Sequence, residues 1–251
     1  MTPFPFSKSP VTVLPQSPPF YLSNFGYWEG ETSYETAGLR FVSEFTNRCQ
    51  LTKKKKILEV GSGLGGSLVY LAKKYDPEKL SAINLPGEQS DFAKQLFSDN
   101  HILISPFLEG SWEKIKTFDD CIFQYVFSLD ASYHFENLYA FYSECYRVLE
   151  PGGRLAFTHF QITQKKFKKF WWLYLPFLIP KGNLKPMEET IAELKSIGFK
   201  QIKNEDWTKP VLHGFIKYSE SLPASLRAFG NLLNWFTKYF YLSYHYYVFE
   251  K

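Results

Sequence analysis

"ILEVGSGLGGSLVYLA", Ile57 to Ala72, opens as an apolar strand, breaks on Gly61, Gly63, Gly65 and Gly66, and resumes as an amphipathic segment. The spacing predicts a strand, a glycine loop and a helix, with backbone able to approach a ligand closely. Free N–H groups and the positive end of the helix dipole favour negative charge there. A pyrophosphate fits that description, and so does the carboxylate of an amino acid. A dinucleotide site calls for an acidic residue about 20 positions on, to hold the ribose. Here the second strand ends at Asn84, inside "SAINLPGEQ". Glu59 stands two residues before the first glycine, where it could receive an ammonium group. These residues favour an amino-acid-bearing ligand over a nicotinamide or flavin dinucleotide.

Outward from this stretch, short apolar runs alternate with amphipathic segments, the pattern of strand–helix units around a parallel sheet. Strands are predicted near 57–60, 80–85, 102–108, 121–129 and 155–160. A helix is predicted from Phe135 to Leu149, where Leu138, Phe141, Tyr142, Cys145, Val148 and Leu149 share one face. "EPGG", Glu150 to Gly153, forbids its continuation. Pro186 and Gly198 bracket a further helix, a strand follows over 199–207, and the aromatic-rich "YFYLSYHYYVFEK" at 239–251 suits a last strand. The expected fold is α/β: a Rossmann-like, doubly wound, mostly parallel seven-stranded sheet with helices on both faces. Residues 1–50 form an N-terminal arm and cap helix. Residues 51–251 form the main domain, with lid insertions near 161–186 and 208–238.

With 45% hydrophobic and 22% charged residues the chain reads as globular, and its 19% aromatic content is concentrated late. A net charge of +4 with no recognition helix, zinc-finger spacing or aromatic RNP strand argues against nucleic acid as a partner. Cys49, Cys121 and Cys145 form no metal or redox spacing, and an odd number without a signal sequence suggests reduced thiols in a cytoplasmic setting. No metal-ligand cluster is apparent. The apolar run from Phe170 to Pro180 is far shorter than the roughly 20 residues a membrane-spanning helix needs.

Four segments, "EVGSGLGG", "AINLPGEQSDFA", "FDDCIFQYVFSLDASYHF" and "CYRVLEPGGRLAF", occur in this order and spacing. Together they resemble the class I S-adenosylmethionine-dependent methyltransferases, most closely the small-molecule enzymes related to sterol, tocopherol and natural-product methyltransferases. In those enzymes "NFGYW" is a familiar N-terminal element. The resemblance covers roughly residues 21–160. It implies S-adenosyl-L-methionine as cofactor, with Gly61, Gly63 and Gly65 against its methionine part and Glu59 near its amino group. Asn84 departs from the commoner acidic residue, and Gln89 is the expected substitute at the ribose. Ser111 and Trp112 fall at the adenine position, the backbone around Phe127 and Ser128 is expected beneath the cofactor, and Tyr27 and Trp28 above it. For Gly66, close helix packing competes with ligand contact.

Methyl transfer from a sulfonium depends chiefly on alignment, so a general base is optional. Candidates sit beyond the carboxyl ends of the strands: Asp130, Tyr133 and His134 in "SLDASYHF", and His159 in "AFTHF". Phe, Trp, Tyr and Leu colour the segments outside the sheet, which favours a small hydrophobic or aromatic acceptor. "KKFKKFWWLYLPFLIPKG" joins a basic cluster to an aromatic run, as in an apolar lid or an element lying in a membrane interface, so peripheral membrane contact through 165–180 is expected as an option. Three rival readings stand beside the small-molecule methyltransferase: a regulatory or scaffold protein that binds the cofactor without turnover, a dinucleotide-dependent oxidoreductase, and a membrane-peripheral lipid or quinone methyltransferase.

Overall fold

The computed structural model describes residues 14, 16–163, 168–169, 172 and 177–251. The strands β1 (Lys56–Val60), β2 (Lys79–Asn84), β3 (Phe107–Glu109), β4 (Phe123–Ser128), β5 (Leu149–Ile162), β6 (Lys200–Asp206) and β7 (Leu242–Glu250) form a single seven-stranded sheet. Their spatial order is β3-β2-β1-β4-β5-β7-β6. The strands from β3 through β5 pair in parallel, and β7 inserts antiparallel between β5 and β6. The expected fold class is therefore the observed one.

Each helix starts and stops for local reasons. In α1 (Tyr34–Arg48) the Ser33 side chain accepts the Thr36 N–H, which satisfies one of the donors orphaned at a helix start. Helix α2 (Gly66–Tyr75) enters through Gly65 at φ +83°, a left-handed conformation that glycine adopts without penalty. Helices α3 (Glu88–Asp99) and α4 (Leu138–Val148) follow, and α5 (Met187–Ile197) closes on Gly198 at φ +119°. The short α6 (Gly214–Ser219) and α7 (Ala224–Tyr239) lead into β7. One apolar layer, with Phe41, Phe45 and Leu68, covers one face of the sheet; a second, with Phe141, Val148 and Leu194, covers the other.

Some boundaries move. The third strand, expected over 102–108, shortens to Phe107–Glu109 because Pro106 has no N–H to donate to a ladder. The helix expected from Phe135 begins at Leu138, capped by the Asn137 side chain. β5 reaches back through "EPGG" to Leu149 rather than starting at Leu155. Cys49 and Cys145 are buried, whereas Cys121 is exposed.

The N-terminal arm is clamped on both sides. Gly66 donates its N–H to the Tyr21 carbonyl, and a Cβ on Gly66 would lie 2.2 Å from that same oxygen. Its lack of a side chain thus serves packing against the arm. Gly66→Ala would ordinarily favour a helix, but here it must push backbone away. The expected cost is about 1–3 kcal/mol, a fall of several degrees in melting temperature readable by calorimetry.

Candidate active site

The carboxyl ends of β1, β2 and β4, the arm and the late segments enclose a cavity of about 1040 Å³. That lies at the upper end of the roughly 300–1,000 Å³ usual for small-molecule sites. Beside it, sharing Ser23, Asn24, Gly61 and Leu129, lies a nook of about 20 Å³, large enough for one water-sized group.

The nook holds two buried polar atoms with no partner. Glu59 stands at the buried end of β1; its Oε1 accepts from Ser67 Oγ at 2.7 Å, while its Oε2 accepts from nothing. Ser62 Oγ, in the glycine loop, is also unpartnered. Burial pushes the Glu59 carboxyl up to about 8, against the smaller pull of the Ser67 hydrogen bond. An unsatisfied buried carboxylate is costly, so this position calls for a cation. The unused hydroxyl of Ser62 supplies a donor for a carboxylate. An acceptor for ammonium and a donor for carboxylate in one nook fit the two charged ends of an amino acid.

The glycine loop itself differs from the expectation of free N–H groups. Gly61 donates to the Ile83 carbonyl, Gly66 to Tyr21, and Gly63 to Asn84 Oδ1 at 3.1 Å. Asn84 Nδ2 returns to the Gly63 carbonyl and reaches Ser90 Oγ at 2.9 Å. Asn84 lines the cavity, but its side chain is spent on fixing the loop. Gly65, expected against the ligand, instead faces α3, where a Cβ would lie 2.6 Å from Phe97. Gly61 and Gly63 do line the cavity, joined by Gln89.

At the far end, Ser111 and Trp112 both border the cavity. Trp112 is also structural: its Nε1 donates to the Glu136 carbonyl at 2.8 Å and its ring meets Phe141 edge-on. Phe127 and Ser128 do not line the cavity; Phe127 packs on Phe45, and Ser128 Oγ donates to the Val60 carbonyl.

The expected cover of Tyr27 and Trp28 is displaced along the arm. The Tyr27 ring packs edge-on against Trp207, with the Arg48 guanidinium 5.4 Å from its centroid. Trp28 lies against Tyr218 and donates its ring N–H to the Phe25 carbonyl. Neither lines the cavity; Ser23, Asn24 and Phe25 do. The two aromatics instead anchor the arm, so that Ser23, Asn24 and Phe25 reach the site.

Beyond the nook the wall becomes aromatic, with Phe25, Tyr133, Phe135, Phe160, Phe215 and Phe229. Asp130 sits there at φ +54°, in a left-handed conformation that aspartate tolerates better than most side chains. Its Oδ1 accepts from Tyr133 Oη at 2.6 Å and Tyr244 Oη at 2.5 Å, and its Oδ2 from the Phe25 N–H at 2.9 Å. Tyr244 Oη also contacts Thr158 Oγ1 at 2.7 Å. Burial raises the Asp130 carboxyl to about 6 despite these hydrogen bonds, and the same burial, with the carboxylate beside them, raises both tyrosines. The sequence pointed to Asp130 and Tyr133; Tyr244, more than a hundred residues away, carried no local signal.

His134 lines the cavity, its Nδ1 3.0 Å from the Leu178 carbonyl. A carbonyl only accepts, so Nδ1 carries the proton and Nε2 is the basic nitrogen. Burial lowers the ring to about 4, with the Leu178 hydrogen bond acting the other way, so the ring is neutral at physiological pH. His159 is a different case. It is fully buried, does not line the cavity, and its Nε2 lies 3.0 Å from the Asn183 carbonyl. Burial lowers it to about 3. The alternation along β5 turns it to the sheet face opposite Phe160, which corrects its candidacy as a base.

Residues 58–157 match the profile of a family described as "Methyltransferase domain". The phosphoethanolamine N-methyltransferase of Plasmodium falciparum is 27% identical over 184 residues, 70% of this chain and 65% of the relative. The sterol 24-C-methyltransferase erg-4 of Neurospora crassa is 26% identical over 215 residues, 78% of this chain and 54% of the relative. The chain thus spans between about half and two thirds of these relatives' length. Among solved structures, a putative sarcosine dimethylglycine methyltransferase from Galdieria sulphuraria superposes with a TM-score of 0.74 at 17% identity, covering 91% of this chain and 92% of that one. Sheet order, glycine loop and sequence matches agree: residues 58–157 form a methyltransferase domain, and the fold is that of the class I S-adenosylmethionine-dependent methyltransferases.

Proposed function

We propose that this chain transfers the methyl group of S-adenosylmethionine to a small hydrophobic acceptor. The observation that carries this reading is the nook of Glu59 and Ser62 lying directly beside a large cavity whose aromatic wall includes Asp130 and His134, the two sharing Ser23, Asn24, Gly61 and Leu129. When bound, the cofactor supplies a methyl group activated on a sulfonium. Glu59 would take its ammonium and Ser62 its carboxylate. Gln89, which lines the cavity, would meet the ribose, and Trp112 would border the adenine.

The chain's own work is alignment and exclusion of water. Holding nucleophile and methyl in line can remove on the order of 7–11 kcal/mol of barrier. The aromatic wall shapes the acceptor's side of that line, and the Asp130 network holds Phe25 and Tyr133 in it. Relatives named for phosphoethanolamine or geranyl diphosphate take phosphorylated acceptors. Among the described residues lining this cavity the one lysine is Lys116, beside Trp112 at the adenine end, and there is no arginine. That lining supports an uncharged or amine-bearing hydrophobic acceptor over a phosphate.

His134, which lines the cavity with Nε2 as its basic nitrogen, would accept a proton where the nucleophile must lose one. His134→Ala is expected to slow methyl transfer about 10²- to 10⁴-fold while leaving S-adenosylhomocysteine affinity unchanged. The defining experiment is transfer of labelled methyl from the cofactor into fractionated lipid and metabolite extract, with mass identification of the product. Cofactor binding with no labelled product in any fraction would favour a regulatory or scaffold role.

A further inference from the structure

The charge of this chain is unevenly placed. The stretches 161–187 and 221–241 together carry eight lysines and arginines and no aspartate or glutamate, while the remainder holds 21 basic and 25 acidic residues. Described residues of both stretches line the aromatic chamber: Phe177 and Leu178 from the first, Ser225, Leu226 and Phe229 from the second. Phe177 packs against Phe229 and Phe236 of α7 with ring centroids 5.7 and 5.0 Å apart, and Phe177 and Phe229 both line the cavity.

The outer side of this wall is not polar. On α7, Trp235 and Tyr239 stand one turn apart, 41% and 53% exposed, and Tyr241 beyond the helix end is 48% exposed. The Lys238 ammonium lies 5.2 Å from the Tyr239 ring centroid. Part of the basic charge is used internally, since Lys168 pairs with Glu189 and Lys185 with Glu193. Lys238 and Arg227 of α7 have no acidic neighbour within their own helix. Among the described residues, no helix is long and apolar enough to cross a membrane.

We propose that the surface formed by Trp235, Lys238 and Tyr239 of α7 and by Tyr241 just beyond it docks on an anionic phospholipid bilayer. Trp and Tyr combine an apolar body with a polar tip, which suits the level of lipid headgroups. Basic side chains beside them are attracted by the negative surface potential of anionic lipid. A second copy of the same face would present like charge to like charge, which disfavours self-association there. Docking this face places the Phe177–Phe229 wall of the chamber next to the lipid, where apolar molecules concentrate. The inference stands apart from methyl transfer, because docking is measured with neither cofactor nor acceptor present.

The test is co-sedimentation of the full chain with vesicles of phosphatidylcholine alone and of equal parts phosphatidylcholine and phosphatidylserine. Binding is expected to the second and to weaken with added salt. Lys238→Glu is expected to lower partitioning at least roughly fivefold. A Trp235→Ser, Tyr239→Ser double variant is expected to abolish it while S-adenosylhomocysteine affinity stays unchanged. Trp235→Phe, which keeps an apolar ring, is expected to reduce quenching of tryptophan emission by brominated acyl chains. The proposal is overturned if neither vesicle binds, if binding is indifferent to these variants, or if the variants dissolve a dimer of the chain without changing vesicle binding.

Discussion

Glu59→Gln is expected to weaken S-adenosylhomocysteine binding on the order of tenfold to a hundredfold, measured by titration calorimetry. The change removes one charge-assisted hydrogen bond, of about 1.5–3 kcal/mol, and substitutes a neutral amide of nearly the same shape. The pH dependence is the sharper readout. In the ligand-free chain the Glu59 carboxyl is raised to about 8 by burial, so near neutral pH it is largely protonated and must release a proton to pair with an ammonium. Affinity therefore rises as pH approaches about 8, and falls again once the ligand's own amine deprotonates. Stability of the ligand-free chain runs the other way. A carboxyl whose folded value is raised contributes stability at low pH that is lost as pH climbs, here between about 4.5 and 8. Glu59→Gln is expected to abolish both slopes. Unchanged affinity and an unchanged pH profile in this variant would remove the assignment of the nook to an ammonium.

Asp130→Ala is expected to be the most damaging single change in the chamber. It deprives the Phe25 N–H and the Tyr133 hydroxyl of their acceptor and leaves Tyr244 with Thr158 alone. An unsatisfied buried donor costs about 1–3 kcal/mol, so a loss near 3 kcal/mol and a fall of roughly 6–12 °C in melting temperature are expected. Asp130→Asn separates the folding cost from the charge, because its shape is kept while one oxygen becomes a donor facing other donors. With the carboxyl raised to about 6, the wild-type rate is expected to drop as pH falls through 6, as the form able to accept all three bonds disappears. Asp130→Asn is expected to lack that limb. The His134 ring, lowered to about 4, produces its own limb well below, so the two groups are separable in one pH–rate profile.

The sheet and the glycine loop were legible because their signals are local: four apolar residues, a run of glycines and a helical period all lie within Ile57–Ala72. The side of the sheet taken by His159 was not. Residues 155–162 of β5 are buried on both faces, so the strand lacks the polar alternation that reveals its phase. The reach of the arm was unreadable for a related reason. The register of an extended segment is set by what it packs against, here Trp28 over Gly214, whose Cβ would lie 2.2 Å from the Trp28 Cβ. The role of Asn84 was half legible. Its missing charge was visible, but its use in pinning Gly63 required the fold.

The position of β7 has a consequence for how the protein comes into being. Tyr244 reaches Asp130 only when this strand has slid into the gap between β5 and β6. Because β7 follows the glycine loop and the other six strands in the sequence, the chamber stays one hydroxyl short until it pairs. The strand that completes the Asp130 network is thus the one that also ties β6 to the rest of the sheet, so the chamber and the sheet edge are finished together.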